Sequence, residues 1–157
     1  MYIAVDFDGT IVSDRYPEIG KELPFATATL RQLMEDGHKL VLWTVREGEL
    51  LQEAVDWCEK KGVRFYAVNK DYDEEAMQGK HFSRKIKADF FIDDRGIAGL
   101  PDWGTIYELI KRRINWEEFL IRRGEIDKPS KKKWWQFWRS SKGNAALKDA
   151  SEDFSLV

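Results

Sequence analysis

The chain has 157 residues, 43% of them hydrophobic, which is enough to build the core of one domain of ordinary size. A formal net charge of −2 argues against a nucleic-acid-binding protein overall. The single cysteine, Cys58, excludes an intrachain disulfide and fits a reducing, cytoplasmic compartment.

The two histidines, His38 and His81, are far apart and lack ligand-like spacing, so a zinc site is not expected. The first residues pass straight into an apolar strand pattern, with no basic segment leading an apolar stretch, so no signal peptide is expected. No apolar run approaches membrane-spanning length.

In chain order, Tyr2 to Phe7 reads as a strand, apolar on both faces like a central parallel strand. Residues 11–23 form a loop containing Pro17 and Gly20. Pro24 suits a first helical turn, and Ala26, Leu30, Leu33 and Met34 follow a helical period that Gly37 closes. Lys39 to Val45 reads as the second strand. A helix from Glu47 to Lys61 places Leu50, Leu51, Ala54, Val55 and Cys58 on one side, with Gly62 as its stop. Cys58 in that pattern reads as a small buried apolar residue. Val63 to Val68 is the third strand, and Asn69 to Arg84 is polar and irregular. Ala88 to Asp93 is the fourth strand, followed by a turn with Gly99 and Pro101. A helix runs from Trp103 to Ile114. Asn115 with Glu118 begins a last short helix that ends at Gly124. Strands alternating with helices predict an α/β domain built on a parallel sheet.

Two strands end in carboxylates. The first runs into Asp6-Phe7-Asp8-Gly9-Thr10, the fourth into Asp93-Asp94-Arg95-Gly96. The carboxyl ends of strands are where open parallel sheets bind ligands. Close carboxylates repel, so such a pair has to bind a cation, hold a proton or cost stability.

Asp6 to Thr10 resembles the first motif of the haloacid dehalogenase superfamily of phosphatases and phosphotransferases. Three further matches follow in order, and the resemblance covers residues 1–124. It implies a Rossmann-like core. It implies that Asp6 is the nucleophile that takes the phosphoryl group, and that Asp8 is the general acid and then the base that activates water. Thr44, at the end of the second strand, matches the Ser or Thr whose hydroxyl binds that group. The family lysine is sought before the fourth strand, where Lys85 is the first choice, Lys87 the fallback and Lys70 a third. Asp93 and Asp94 match the acidic fourth motif. With Asp6 and the backbone carbonyl of Asp8 they would hold one Mg²⁺, an ion suited to oxygen ligands.

The family inserts cap domains after the first or third strand. Both intervals here are too short for a folded domain, so a capless member with an open site is expected. Thr10, Arg15, Tyr16, Arg46, Lys70 and Tyr72 are candidates for contact with a small or medium phosphorylated substrate. Arg46 could equally be a solvated charge. The neighbouring Val45-Arg46-Glu47-Gly48 stretch opens a helix whose backbone N–H groups can hold an anion.

The end of the chain is of different composition. Residues 1–127 hold 19 Lys and Arg against 25 Asp and Glu, a net of −6, whereas residues 128–157 hold 7 against 3, a net of +4. Residues 128–139 combine lysines with Trp134, Trp135 and Trp138. That mixture suits a membrane surface or a protein partner, packing back over the domain as a lid, or, less well, nucleic acid. Membrane association would then come through this segment. Residues 140–157 are expected to be flexible. The expected function is a Mg²⁺-dependent phosphomonoester hydrolase. The alternatives are a non-catalytic binding or scaffold protein on the same fold, with the tail mediating contacts, and phosphoryl transfer to an acceptor other than water.

Overall fold

The computed structural model describes residues 1–72 and 85–128. The expectations for 73–84 and for the tail from 129 onward lie outside the described residues. The chain divides into two units between Ile114 and Asn115.

The first unit is a parallel four-stranded sheet flanked by helices, a Rossmann-like α/β core. The strands are β1 (Tyr2–Val5), β2 (Lys39–Leu42), β3 (Ala67–Val68) and β4 (Phe90–Ile92), in the order β3-β2-β1-β4. Its helices are α1 (Ala26–Glu35), α2 (Gly48–Lys60) and α3 (Trp103–Arg112). β1 pairs with β2 through Ile3↔Leu40 and with β4 through Ile3↔Phe90. The chain steps outward from β1 to β2 to β3 and then returns to the other side of β1. The strand order therefore reverses between β1 and β4, where this class of sheet opens a crevice.

Alternation along each strand sorts the core into two faces. Ile3, Val5, Leu40 and Leu42 join the larger buried cluster, together with Leu30 and Leu33 of α1, Ala54 and Cys58 of α2, and Trp103, Ile106 and Ile110 of α3. Ala4, Val41 and Ala67 point the other way and pack with Ile86. Burial pushes the Cys58 thiol up to about 12, so it stays protonated and serves as core.

The strands are shorter than the apolar runs that form them. β1 ends at Val5, although the Asp6 N–H still donates to the Ile92 carbonyl at 3.0 Å. β2 ends at Leu42, although the Trp43 N–H still donates to the Val5 carbonyl of β1 at 2.8 Å; the ladder is left at Thr44, whose N–H goes to a side chain. The expected third strand loses its first half. The Val63 N–H closes α2 on the Cys58 carbonyl, and β2 is met only when the Tyr66 N–H reaches the Leu40 carbonyl at 2.7 Å.

In the second unit, α4 (Trp116–Arg123) starts where the sequence places it. The Asn115 side chain accepts the Glu118 N–H at 2.8 Å, and Gly124 ends the helix in the left-handed region. No described helix is long and apolar enough to cross a membrane.

Candidate active site

The crevice lies at the carboxyl ends of β1, β2 and β4. Asp6, Asp8, Trp43, Thr44, Val45, Asp93 and Arg95 line it. Asp6 leaves β1, and Asp93 and Asp94 leave the adjacent β4. The parallel register Val5↔Ile92 brings the three acids to one level. One carboxylate oxygen from each of Asp6, Asp93 and Asp94 lies within 4.8 Å of the others.

Burial first, and then the like charges of Asp93, Asp94 and Asp8, raise the Asp6 carboxyl to about 6 from an ordinary 3.8. A bond from the Phe7 backbone opposes the rise. Asp94 adds a sign of its own: its Oδ1 is buried and has no hydrogen-bond partner among the described residues. A buried carboxylate oxygen left unpaired is costly. Three convergent carboxylates, one of them with an orphaned oxygen, could hold a metal ion of the hard, oxygen-binding kind.

Asp94 is held from behind. Its N–H donates to Thr10 Oγ1 at 3.1 Å, and the Trp103 indole N–H donates to the Thr10 carbonyl at 3.3 Å. Thr10 is fully buried, so its hydroxyl is committed to this loop rather than to the cleft. Gly9 has φ +78°, and a Cβ there would overlap the Asp94 carboxylate.

Asp8 turns elsewhere. Its two oxygens accept from Arg46 Nε at 2.6 Å and Nη2 at 2.7 Å. Arg46 is 1% exposed, so it is not the solvated charge that its place after a strand allowed. The Asp8 hydrogen bond holds its guanidinium still more firmly protonated.

Thr44 lies at the mouth. Its Oγ1 accepts the Arg46 N–H at 3.3 Å, and its own N–H donates to Asn69 Oδ1 at 2.8 Å. The hydroxyl proton of Thr44 therefore remains available to a ligand in the cleft.

The other expected residues sit apart from the lining. Lys85 is exposed, with its ammonium 5.5 Å from the Phe91 ring centroid. Lys87 is exposed, and its N–H donates to Asp71 Oδ1. Lys70 is half-buried in the turn after β3, and Arg15, Tyr16 and Tyr72 are exposed on loops. Sequence reasoning gave no role to Trp43, Arg95 or Asn69, none to the Val45 side chain, and no packing role to Gly9. The signals were present in part: Trp43 and Val45 flank Thr44, Arg95 follows the acid pair, and Asn tolerates the left-handed φ of +55° found at position 69.

A solved structure of a conserved protein from Bacteroides thetaiotaomicron shares 58% identity and a TM-score of 0.71, covering 76% of this chain and 96% of that one. The chain belongs to the family of that Bacteroides protein. A second relative, from Bacillus cereus, carries the name "Putative nucleotidase". It is 29% identical over 72 residues, which is 46% of this chain and 38% of the relative's own length. No family model matches the chain. For this Bacteroides family both likenesses accord with the haloacid-dehalogenase-like fold that Asp6 to Thr10 resembles.

Proposed function

We propose that this protein is a Mg²⁺-dependent phosphomonoester hydrolase that works through an aspartyl-phosphate on Asp6. The observation that carries the reading is the convergence of Asp6, Asp93 and Asp94 within 4.8 Å beside an orphaned Asp94 oxygen. A scaffold has no use for three mutually repelling carboxylates in a crevice.

Asp6, Asp93, Asp94 and the Asp8 carbonyl would hold the ion. Mg²⁺, when bound, offsets the charge of the acids and of a phosphate dianion. Asp6 attacks phosphorus in line, and the ester P–O bond breaks. Asp8 enters this step as the neutral acid, gives its proton to the leaving oxygen and is left as the carboxylate that Arg46 holds. Water, deprotonated by Asp8, then attacks the same phosphorus and frees inorganic phosphate and Asp6. The Thr44 hydroxyl donates to a non-bridging phosphoryl oxygen and so helps fix its orientation. Lys85 is the proposed counter-charge to that phosphoryl group, brought in from the exposed segment before β4.

Trp43 and the 77%-exposed Val45 form an apolar wall next to Thr44. That wall suits a leaving group with a flat apolar face, and the name of the Bacillus relative adds nucleoside monophosphates as the first such class. The sequence intervals after β1 and β3 are too short for a folded domain, and the reading is accordingly of a capless site.

The test is hydrolysis of p-nitrophenyl phosphate and of a nucleoside monophosphate panel by purified protein, with Mg²⁺ and with chelator. Phosphate release that needs Mg²⁺ supports the reading. A folded protein that releases none from any member of the panel contradicts it.

A further inference from the structure

Arg46 does not behave as a surface arginine at the mouth of a phosphate site. Its side chain is fully buried in an ion pair with Asp8, whose own side chain is 8% exposed. Two guanidinium donors grip the Asp8 carboxylate, at 2.6 and 2.7 Å. Two further bonds, from Nη1 to the Pro17 carbonyl and from Nη2 to the Glu18 carbonyl, are each 3.0 Å long. The ring of Phe7 lies 5.1 Å from Cζ, and that of Tyr16 5.3 Å. Four of the five N–H donors of the fork are therefore spent inside the protein.

We infer that Arg46 is a positioning residue: it fixes the Asp8 carboxylate in the crevice and ties its location to the backbone of the loop between β1 and α1. The inference rests on the phosphohydrolase reading above, in which Asp8 handles protons. An arginine placed to bind substrate phosphate presents its donors to the crevice. This one turns them to Asp8 and to two carbonyls of residues 17 and 18.

The loop is built to hold those carbonyls still. Its base is closed by the Ser13 N–H donating to the Lys21 carbonyl at 2.7 Å and the Lys21 N–H donating to Ser13 Oγ at 3.0 Å. Gly20 is required there, because a Cβ would overlap the Ser13 carbonyl oxygen. Beside the backbone bridge between Asp8 and Val12, the Arg46 side chain thus ties the loop carbonyls to the Asp8 carboxylate itself. Lysine is a poor substitute, since a point charge cannot grip a carboxylate bidentately while also serving two carbonyls.

The experiment is steady-state kinetics of Arg46→Lys and Arg46→Gln in the wild-type and Asp8→Asn backgrounds, with thermal melts to confirm folding. A misplacement on the order of 1 Å costs about 100-fold in rate. The expected result is a kcat loss of that order with KM changed less than about threefold. In the Asp8→Asn background the Arg46 changes should add little, because the lost interaction is already gone.

A rise in KM at preserved kcat would assign Arg46 to substrate binding and overturn the inference. Equal losses in both backgrounds would show a general structural role and overturn it too. Gly20→Ala, remote from the crevice, gives an independent arm if the Arg46 variants do not fold: kcat should fall, again without further loss in Asp8→Asn. An unchanged kcat in folded Gly20→Ala counts against coupling through the loop. Wild-type protein without Mg²⁺-dependent turnover removes the hydrolase reading and the inference together, whereas active wild type with any of the contrary variant results removes the inference alone.

Discussion

Gly9 stands against Asp94 so closely that no side chain fits between them: a Cβ on Gly9 would overlap the Asp94 carboxylate. The glycine of the first acidic stretch therefore makes room for the acid of the second. Its φ of +78° adds a backbone reason for the same residue.

Gly9→Ala should accordingly displace Asp94 and spoil the cation site. The left-handed backbone alone costs about 1–2 kcal/mol in a non-glycine residue. The expected outcome is a lower melting temperature and a Mg²⁺ affinity reduced by at least about tenfold, measured by calorimetric titration. Full Mg²⁺ affinity in the variant would show that Asp94 is not a ligand.

Asp6 sets the pH behaviour of the metal-free protein. Its carboxyl is raised to about 6, chiefly by burial, so the folded state favours its neutral form. That contribution to stability is fully present below the ordinary value of 3.8 and is lost as pH rises through about 6. In chelator, the melting temperature should therefore fall by a few degrees between pH 4.5 and pH 7. Mg²⁺ should stabilise far more at pH 7 than at pH 4.5, and Asp6→Asn should flatten the chelator profile. A melting temperature that instead rises across this window, with Asp6→Asn following it, would contradict the assignment.

Asn69 is expected to matter through Thr44. It sits at φ +55° and accepts the Thr44 N–H at 2.8 Å. Asn69→Ala leaves that N–H unpaired and strains the backbone, a loss of about 1–3 kcal/mol of stability. Asn69→Gly relieves the backbone but not the hydrogen bond, so its melting temperature should lie between those of wild type and Asn69→Ala. Both variants should lose kcat if the Thr44 hydroxyl needs that anchor. Wild-type kcat in both would separate Asn69 from the site.

Much of this was legible in the sequence, for physical reasons. Buried parallel strands read as apolar runs, and runs that end in Asp6 and Asp93 mark their carboxyl ends without any knowledge of tertiary contacts. The Asn115 cap and the Gly124 stop of α4 are local chemistry and can be read from neighbours alone. What stayed hidden depends on residues distant in the chain. Arg46 follows a strand like any surface charge, and only the approach of Asp8 and the carbonyls of 17 and 18 makes it a buried clamp. The Gly9–Asp94 contact spans 85 positions of the sequence and leaves no periodic trace. The apolar run from Val63 to Val68 is longer than β3 for a related reason. Val63 is apolar and buried, but it closes α2, and apolar pattern alone cannot tell a helix-closing residue from a strand residue.

The central claim is a phosphoryl group carried on Asp6, and the most direct measurement looks for it there. Wild-type protein turning over p-nitrophenyl phosphate with Mg²⁺ would be quenched with borohydride, which reduces an acyl phosphate to an alcohol, and residue 6 would be read by peptide mass spectrometry. The account predicts reduction at Asp6 that needs both substrate and Mg²⁺ and is absent from Asp6→Asn. Turnover with Asp6 unmodified, or with the modification on another residue, would contradict it.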